Sequence, residues 1–252
     1  MTRRFSKSGE ENIEIDESSV LEFFEKRAEK VDTLGPSQAV IYQDKNPKLA
    51  ESRDAAEKAL LQPKIKLDSQ AIVLDAGCGT GRWAEVLIPA CASYYGIDVS
   101  PGLIDVAKKQ FEDRQNAHFS VCSLDNISLQ NIGAKSPFTH IVSFGVFIYL
   151  NDAAVLSALE RISQVAAPQA RIVMREPIAI TNRLTLKEHF SEDMDQYYSA
   201  IYRTEDELLA MLNSTVGAAG FTLVESGDVY DSGLNNRVET KQRWYVWERS
   251  AI

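Results

Sequence analysis

Val73-Leu-Asp-Ala-Gly-Cys-Gly-Thr-Gly-Arg-Trp83 decides the reading of this chain. An apolar run, Ala71-Ile-Val-Leu74, ends in Asp75; glycines then alternate at Gly77, Gly79 and Gly81, and an amphipathic helical pattern follows. The pattern predicts a strand, a tight loop and a helix. Glycine reaches positive φ without steric cost and lets a ligand approach with no Cβ in the way. The loop is expected to feed a helix N-terminus, whose free N–H groups and dipole favour a negative group such as a carboxylate. A second strand, Ser93-Tyr-Tyr-Gly-Ile97, ends in Asp98, where an acid is placed to accept hydrogen bonds from a ribose diol.

Outward from this stretch, strand and helix patterns alternate. A helix opens at Ser100-Pro101, with Leu103, Ile104, Ala107 and Phe111 at helical spacing. Strands are expected at about 118–122, 139–144 and 171–175, with a helix capped by Asn151 and ended by Pro168 between the last two. This rhythm predicts a parallel sheet with helices on both faces. From about 177 to 203 it lapses into an insertion-like segment without an amphipathic stripe. Thr204-x-x-Glu207 then opens a helix, and Phe221-Thr-Leu-Val and Trp244-Tyr-Val-Trp read as two last strands. Upstream, residues 1–17 are polar and expected to be poorly ordered. Ser19-x-x-Glu22 reads as a capping box, and Asn46-Pro47 starts a helix expected to stop before Pro63.

The motif Asp75-Ala-Gly77-Cys-Gly79-Thr-Gly81 resembles the first motif, Asp/Glu-x-Gly-x-Gly-x-Gly, of the class I S-adenosylmethionine-dependent methyltransferases. The dinucleotide fingerprint Gly-x-Gly-x-x-Gly fits worse, because here the third glycine follows the second by two residues and an acid leads the run. The resemblance covers about Ala71 to the end. It implies a Rossmann-like α/β fold: seven strands, mostly parallel, the last antiparallel. Residues 1–70 would be a helical extension closing over the cofactor, and 71–252 the methyltransferase domain with its substrate-side insertion. The implied cofactor is S-adenosyl-L-methionine and the product S-adenosyl-L-homocysteine.

The same resemblance distributes the site. Gly77, Gly79 and Gly81 would meet the aminoacyl end, with Asp75 near its ammonium; Arg82, directly after the loop, is expected to pair its carboxylate. Asp98 would take the ribose. Leu124 and Val99 would cover the adenine, with Ser123 or Asp125 at its edge, and Phe144 would line the methionine arm. Acceptor-side candidates are Tyr42, Tyr149, Arg175 and Tyr197, with Arg53, Arg183 and Tyr198 beside them. A hydroxyl acceptor needs a proton acceptor and an amine must be neutral to attack. His189, in the insertion, is the candidate base; Glu176, after the fifth strand, is a second base or an orienting group. His118 and His140 begin strands on the far side of the sheet and read as structural.

Composition narrows the partners. The chain has 252 residues and a net charge of −9, which disfavours a surface that tracks phosphates and hence nucleic acid. No apolar run approaches the roughly 18 residues of a membrane span, and the start lacks the apolar core of a signal peptide. Cys78, Cys91 and Cys122 lack metal-ligand spacing and read as reduced packing residues of a cytoplasmic protein, with no metal required. The expected activity is methyl transfer to oxygen or nitrogen of a small molecule, of natural-product or sugar type, by a monomer or homodimer. A protein methyltransferase is the alternative: Gly79-Thr-Gly81-Arg82 and Cys122-Ser-Leu124-Asp125 resemble motifs of the protein N-terminal methyltransferases. Those enzymes carry an Asn soon after the fifth strand, where this chain has Arg175-Glu176-Pro177. A cofactor-binding protein without turnover is the third reading.

Overall fold

The structure is a computed structural model, and it describes residues 2–7, 10, 12–230, 234 and 237–250. In chain order, strand β1 (Thr2–Ser6) precedes helices α1 (Glu17–Glu29), α2 (Val31–Leu34), α3 (Pro36–Ile41) and α4 (Pro47–Ile65). Then come β2 (Ile72–Ala76), α5 (Ala84–Leu87), β3 (Ser93–Asp98), α6 (Pro101–Gln110), β4 (Ala117–Val121), β5 (Phe138–Phe144), α7 (Asp152–Val165) and β6 (Ala166–Ala179). A hairpin of β7 (Arg183–Ser191) and β8 (Gln196–Tyr202) leads to α8 (Glu205–Leu212), β9 (Thr222–Asp228) and β10 (Thr240–Arg249).

Seven strands form the main sheet in the order β4-β3-β2-β5-β6-β10-β9. The pairs among β4, β3, β2, β5 and β6 are parallel, and β10 runs antiparallel to both β6 and β9. This is the expected sheet. Strand alternation sends Leu74, Ile141, Ile172 and Tyr245 to one face, under Val155, Leu159 and Ile162 of α7. It sends Val73, Val142, Val173 and Val246 to the other, under Leu61 and Ile65 of α4 and Leu87 of α5. Because both faces are covered, the central strands read as continuous apolar runs rather than as alternating ones.

The caps at Asn46, Ser100 and Thr204 form as the sequence predicts: each side chain accepts from a backbone N–H three residues on. Asn151 does not cap its helix; its amide instead clasps both backbone groups of Ile15. Five expectations are corrected. Residues 2–6 are a strand, paired with β7 in a separate three-stranded sheet β1-β7-β8. The 177–203 segment is therefore chiefly a hairpin, held by apolar contacts of Leu184, Leu186 and Ala200 with Val20 and Phe23 of α1. Helix α1 starts before Ser19, because Asp16 accepts from the Ser19 N–H at 2.8 Å. Helix α4 runs through Pro63 to Ile65. Finally, the helix after Gly81 is only the four-residue α5, so the glycine loop meets a turn and not a long helix dipole.

Candidate active site

A cavity opens at the C-terminal ends of β2, β3, β4 and β5. Its walls include Asp75, Gly77, Gly79, Asp98, Val99, Ser123, Leu124, Asp125 and Phe144. The helical extension closes it from above with Val20, Leu21 and Phe24 of α1 and with Val40. Gly77 sits at φ +84°, and a Cβ there would lie 2.4 Å from Val146 Cγ2, so this loop position admits only glycine.

Asp98 is locked by the loop it faces. The Gly79 N–H donates to its Oδ2 at 2.9 Å and the Ser100 N–H to its Oδ1 at 3.0 Å. Each oxygen keeps a further lone pair. Burial raises the Asp98 pKa against the opposing pull of these N–H groups. Asp75 is almost fully buried behind the loop; Tyr94 donates its hydroxyl to it at 2.7 Å, and burial pushes its pKa up to about 7. Leu124 is buried, Ser123 half-buried, and Asp125 and Val99 are exposed at the rim. Phe144 stacks on Trp83 with ring centroids 4.3 Å apart.

Arg82 corrects an expectation. It lines the cavity, yet its guanidinium turns to α4, bonding Asp54 at 2.6 Å and Glu57 at 2.5 Å. Glu57 also holds Arg175 (Nε to Oε2, 3.0 Å) and accepts from Trp83 Nε1 at 3.1 Å. Burial would raise the Glu57 pKa, but Arg175 and Arg82 outweigh it and hold the carboxyl at about 2. Asp54 and Glu57 escaped sequence reasoning. On paper they belong to a charged helix face, and only the docking of α4 turns that face inward.

A second cavity adjoins the first. Val40, Tyr42, Arg82, Gly145, Tyr149 and Arg175 line both and so form their shared wall. Tyr42 takes a left-handed conformation, φ 64°, at the end of α3, and its hydroxyl meets that of Tyr149. Burial raises both tyrosine pKa values, so both hydroxyls keep their protons at neutral pH. Gly145, at φ +78°, lets Arg175 lie against the backbone; a Cβ would fall on the guanidinium.

Several sequence candidates lie elsewhere. Glu176 alternates away from Arg175 and lines neither cavity. It is buried; its Oε1 accepts the Val146 and Phe147 N–H groups at 2.8 and 3.2 Å, and its pKa is pushed up to about 7 by burial. It braces the loop after β5 and lines neither cavity. His189 lines neither cavity and packs edge-on against Tyr198. Tyr197 is 57% exposed and packs on Phe190, on the outer face of the hairpin; its neighbour Tyr198 faces inward, as the strand period of two requires. Arg183 forks onto Asp152 at 2.9 and 2.7 Å, away from both cavities. Among the described residues there is no cluster of metal-ligating side chains, and no helix is long and apolar enough to cross a membrane.

Residues 73–169 match the model of a methyltransferase domain family. Aklanonic acid methyltransferase DauC of Streptomyces sp. (strain C5) is 32% identical over 118 residues, which cover 42% of this chain and 48% of DauC. The chain spans less than two thirds of the length of the first curated relatives it matches. Phosphoethanolamine N-methyltransferase 1 of Haemonchus contortus superposes with a TM-score of 0.71 at 14% identity, over 92% of this chain and 48% of that one. Magnesium protoporphyrin IX methyltransferase of Synechocystis PCC 6803, solved with S-adenosylmethionine, gives 0.60 at 17% identity over 95% and 100%. The match at 73–169 and this strand order together give the chain the fold of the class I S-adenosylmethionine-dependent methyltransferases.

Proposed function

We propose that this chain transfers a methyl group from S-adenosyl-L-methionine to an oxygen or nitrogen of a small molecule. The shared wall carries the reading: the cavity at the glycine loop and a second cavity meet at Val40, Tyr42, Arg82, Gly145, Tyr149 and Arg175. The first cavity suits the cofactor. Gly77 leaves no room for a Cβ, the free lone pairs of Asp98 match a ribose diol, and Leu124 and Val99 offer apolar contact to a base, with Ser123 and Asp125 at its edge. Asp75 supplies negative charge near the aminoacyl ammonium. When bound, the cofactor supplies an electrophilic methyl on a sulfonium.

The protein's own share is positioning. Holding two reactants aligned is worth roughly 7–11 kcal/mol of barrier in favourable cases. Here α1 and the Val40–Tyr42 segment exclude water, while the Tyr42 and Tyr149 hydroxyls orient the acceptor at the shared wall. Both stay protonated, so neither removes a proton. The acceptor therefore brings its own nucleophile, as a neutral amine or an already ionised oxygen.

Arginines in the second cavity argue against the basic peptide of a protein methyltransferase. Residues 1–70 act as the lid of the domain at 71–252. Three buried, free cysteines suit a reducing cytoplasm, with the chain a monomer or homodimer. The test uses methyl-labelled cofactor, the purified protein and an extract of the source cell, with products separated by size. Label in the small-molecule fraction is expected. Label on polypeptide overturns the substrate class, and calorimetry showing no cofactor binding overturns the whole reading.

A further inference from the structure

The second cavity has an uneven charge pattern. At the shared wall, Arg82 and Arg175 are taken up by Asp54 and Glu57. Farther along, Arg53 and Arg237 line this cavity and not the first. Neither has a carboxylate within ion-pair distance among the described residues; Asp193, exposed on this wall, acts on Arg53 only at longer range. Arg53 is 6% exposed, its Nε is spent on the Leu234 carbonyl at 2.9 Å, and its Nη1 is buried without a partner. Arg237 donates to the Tyr198 hydroxyl and lies over that ring.

A buried guanidinium nitrogen with nothing to bond costs free energy, as Arg53 Nη1 does here, and the half-buried Arg237 adds a second positive charge to the same cavity. An oxyanion removes that cost, because its paired oxygens match the guanidinium fork. The chain as a whole carries −9, so long-range attraction cannot recruit the anion; the site works by local, desolvated contact. Around the arginines stand Tyr198, Tyr202 and Tyr230, whose rings offer flat apolar walls.

We propose that the methyl acceptor is a small molecule bearing an oxyanion, phosphate or carboxylate, which Arg53 and Arg237 hold at the end of the second cavity away from the shared wall. This rests on the methyl-transfer reading. It adds an orientation: the anionic end points to Arg53 and Arg237, and the nucleophile points to Tyr42, Tyr149 and the sulfonium.

The test titrates phenyl phosphate and benzoate into the full chain by calorimetry, with and without saturating S-adenosyl-L-homocysteine. Saturable binding of at least one probe is expected, and the tighter one identifies the kind of oxyanion. Arg237→Gln and Arg53→Gln should each weaken it by at least about tenfold, the order expected for a lost charge-assisted hydrogen bond. Arg237 is only half-buried, so its variant serves if the Arg53 variant misfolds. No binding of either probe overturns the proposal, as does unchanged affinity in the Arg237 variant. If S-adenosyl-L-homocysteine itself fails to bind, the methyl-transfer reading falls, and the titrations without it still decide the oxyanion site.

Discussion

At Glu176, burial keeps a proton on one carboxyl oxygen near neutral pH while the other oxygen holds two backbone N–H groups of the loop over β5. That arrangement is a clamp. Glutamine keeps the accepting oxygen and the uncharged state, so Glu176→Gln should retain turnover within about threefold, whereas removing a general base costs about 10²–10⁴. Glu176→Ala leaves two buried N–H groups unpaired and should lower stability by about 2 kcal/mol or more. A hundredfold loss of kcat in the glutamine variant would restore Glu176 as a base. His189→Ala, by the same geometry, should leave kcat unchanged, because its ring reaches neither cavity. Asp98 is different: it holds the glycine loop through Gly79 and faces the cavity. Asp98→Ala should weaken cofactor binding by at least about tenfold by calorimetry, since hydrogen bonds to a charged group are worth roughly 1.5–3 kcal/mol.

The element that joins extension to sheet is α4. Its Glu57 lies between Arg82, which follows the glycine loop, and Arg175 of β6, two guanidinium groups that line both cavities. Removing one member of a buried ion-pair set strands the others, at roughly 3–5 kcal/mol. Glu57→Ala should therefore lower Tm by about 10 °C, at roughly 2–4 °C per kcal/mol for a chain of this size. It should also raise KM for the acceptor, because Arg175 loses the partner that fixes it. A variant with unchanged Tm and KM would show that α4 merely covers the sheet.

This element also marks where sequence reasoning stops. The sheet, the glycine loop and Asp98 were legible because they follow from local rules: apolar runs, a turn that needs positive φ, an acid at a strand end. Caps at Asn46, Ser100 and Thr204 were legible for the same reason. Pairing across distance was not. Arg82 follows the glycine loop as a carboxylate partner would, and only α4 reveals that it is already engaged. Residues 2–6 are polar enough to read as loose, yet they fill the free edge of β7. In the hairpin, Tyr197 and Tyr198 differ by one position and so by a whole face, which register alone decides.

Across the whole molecule, two buried acids make folding pH-dependent in an unusual direction. Asp75 and Glu176 both titrate near 7 when folded and near 4 when unfolded. Between those values the folded chain holds more protons than the unfolded one, so stability falls as pH rises through the window and levels off above about 7 to 8. Glu57, held at about 2, works the other way: its contribution is present above about 4.5 and is lost as pH falls towards 2. Together they place maximum stability of the ligand-free chain at about pH 4, with a decline through neutral pH. Self-repulsion of a chain at −9 eases over the same range and adds to the rise. The glutamine variant separates the two. Differential scanning calorimetry at pH 5.5 and 8 should show the wild type higher at pH 5.5 by on the order of 5 °C, and Glu176→Gln should lose about half of that difference with its net-charge curve nearly unchanged. Cofactor adds a second signature. A cationic ligand beside Asp75 favours its ionised form, so binding should release protons near pH 7 and should tighten as pH rises from 6 to 8, read as a buffer-dependent calorimetric enthalpy. A flat Tm between pH 5.5 and 8, or binding without proton release, would mean that Asp75 and Glu176 are already ionised in the folded chain.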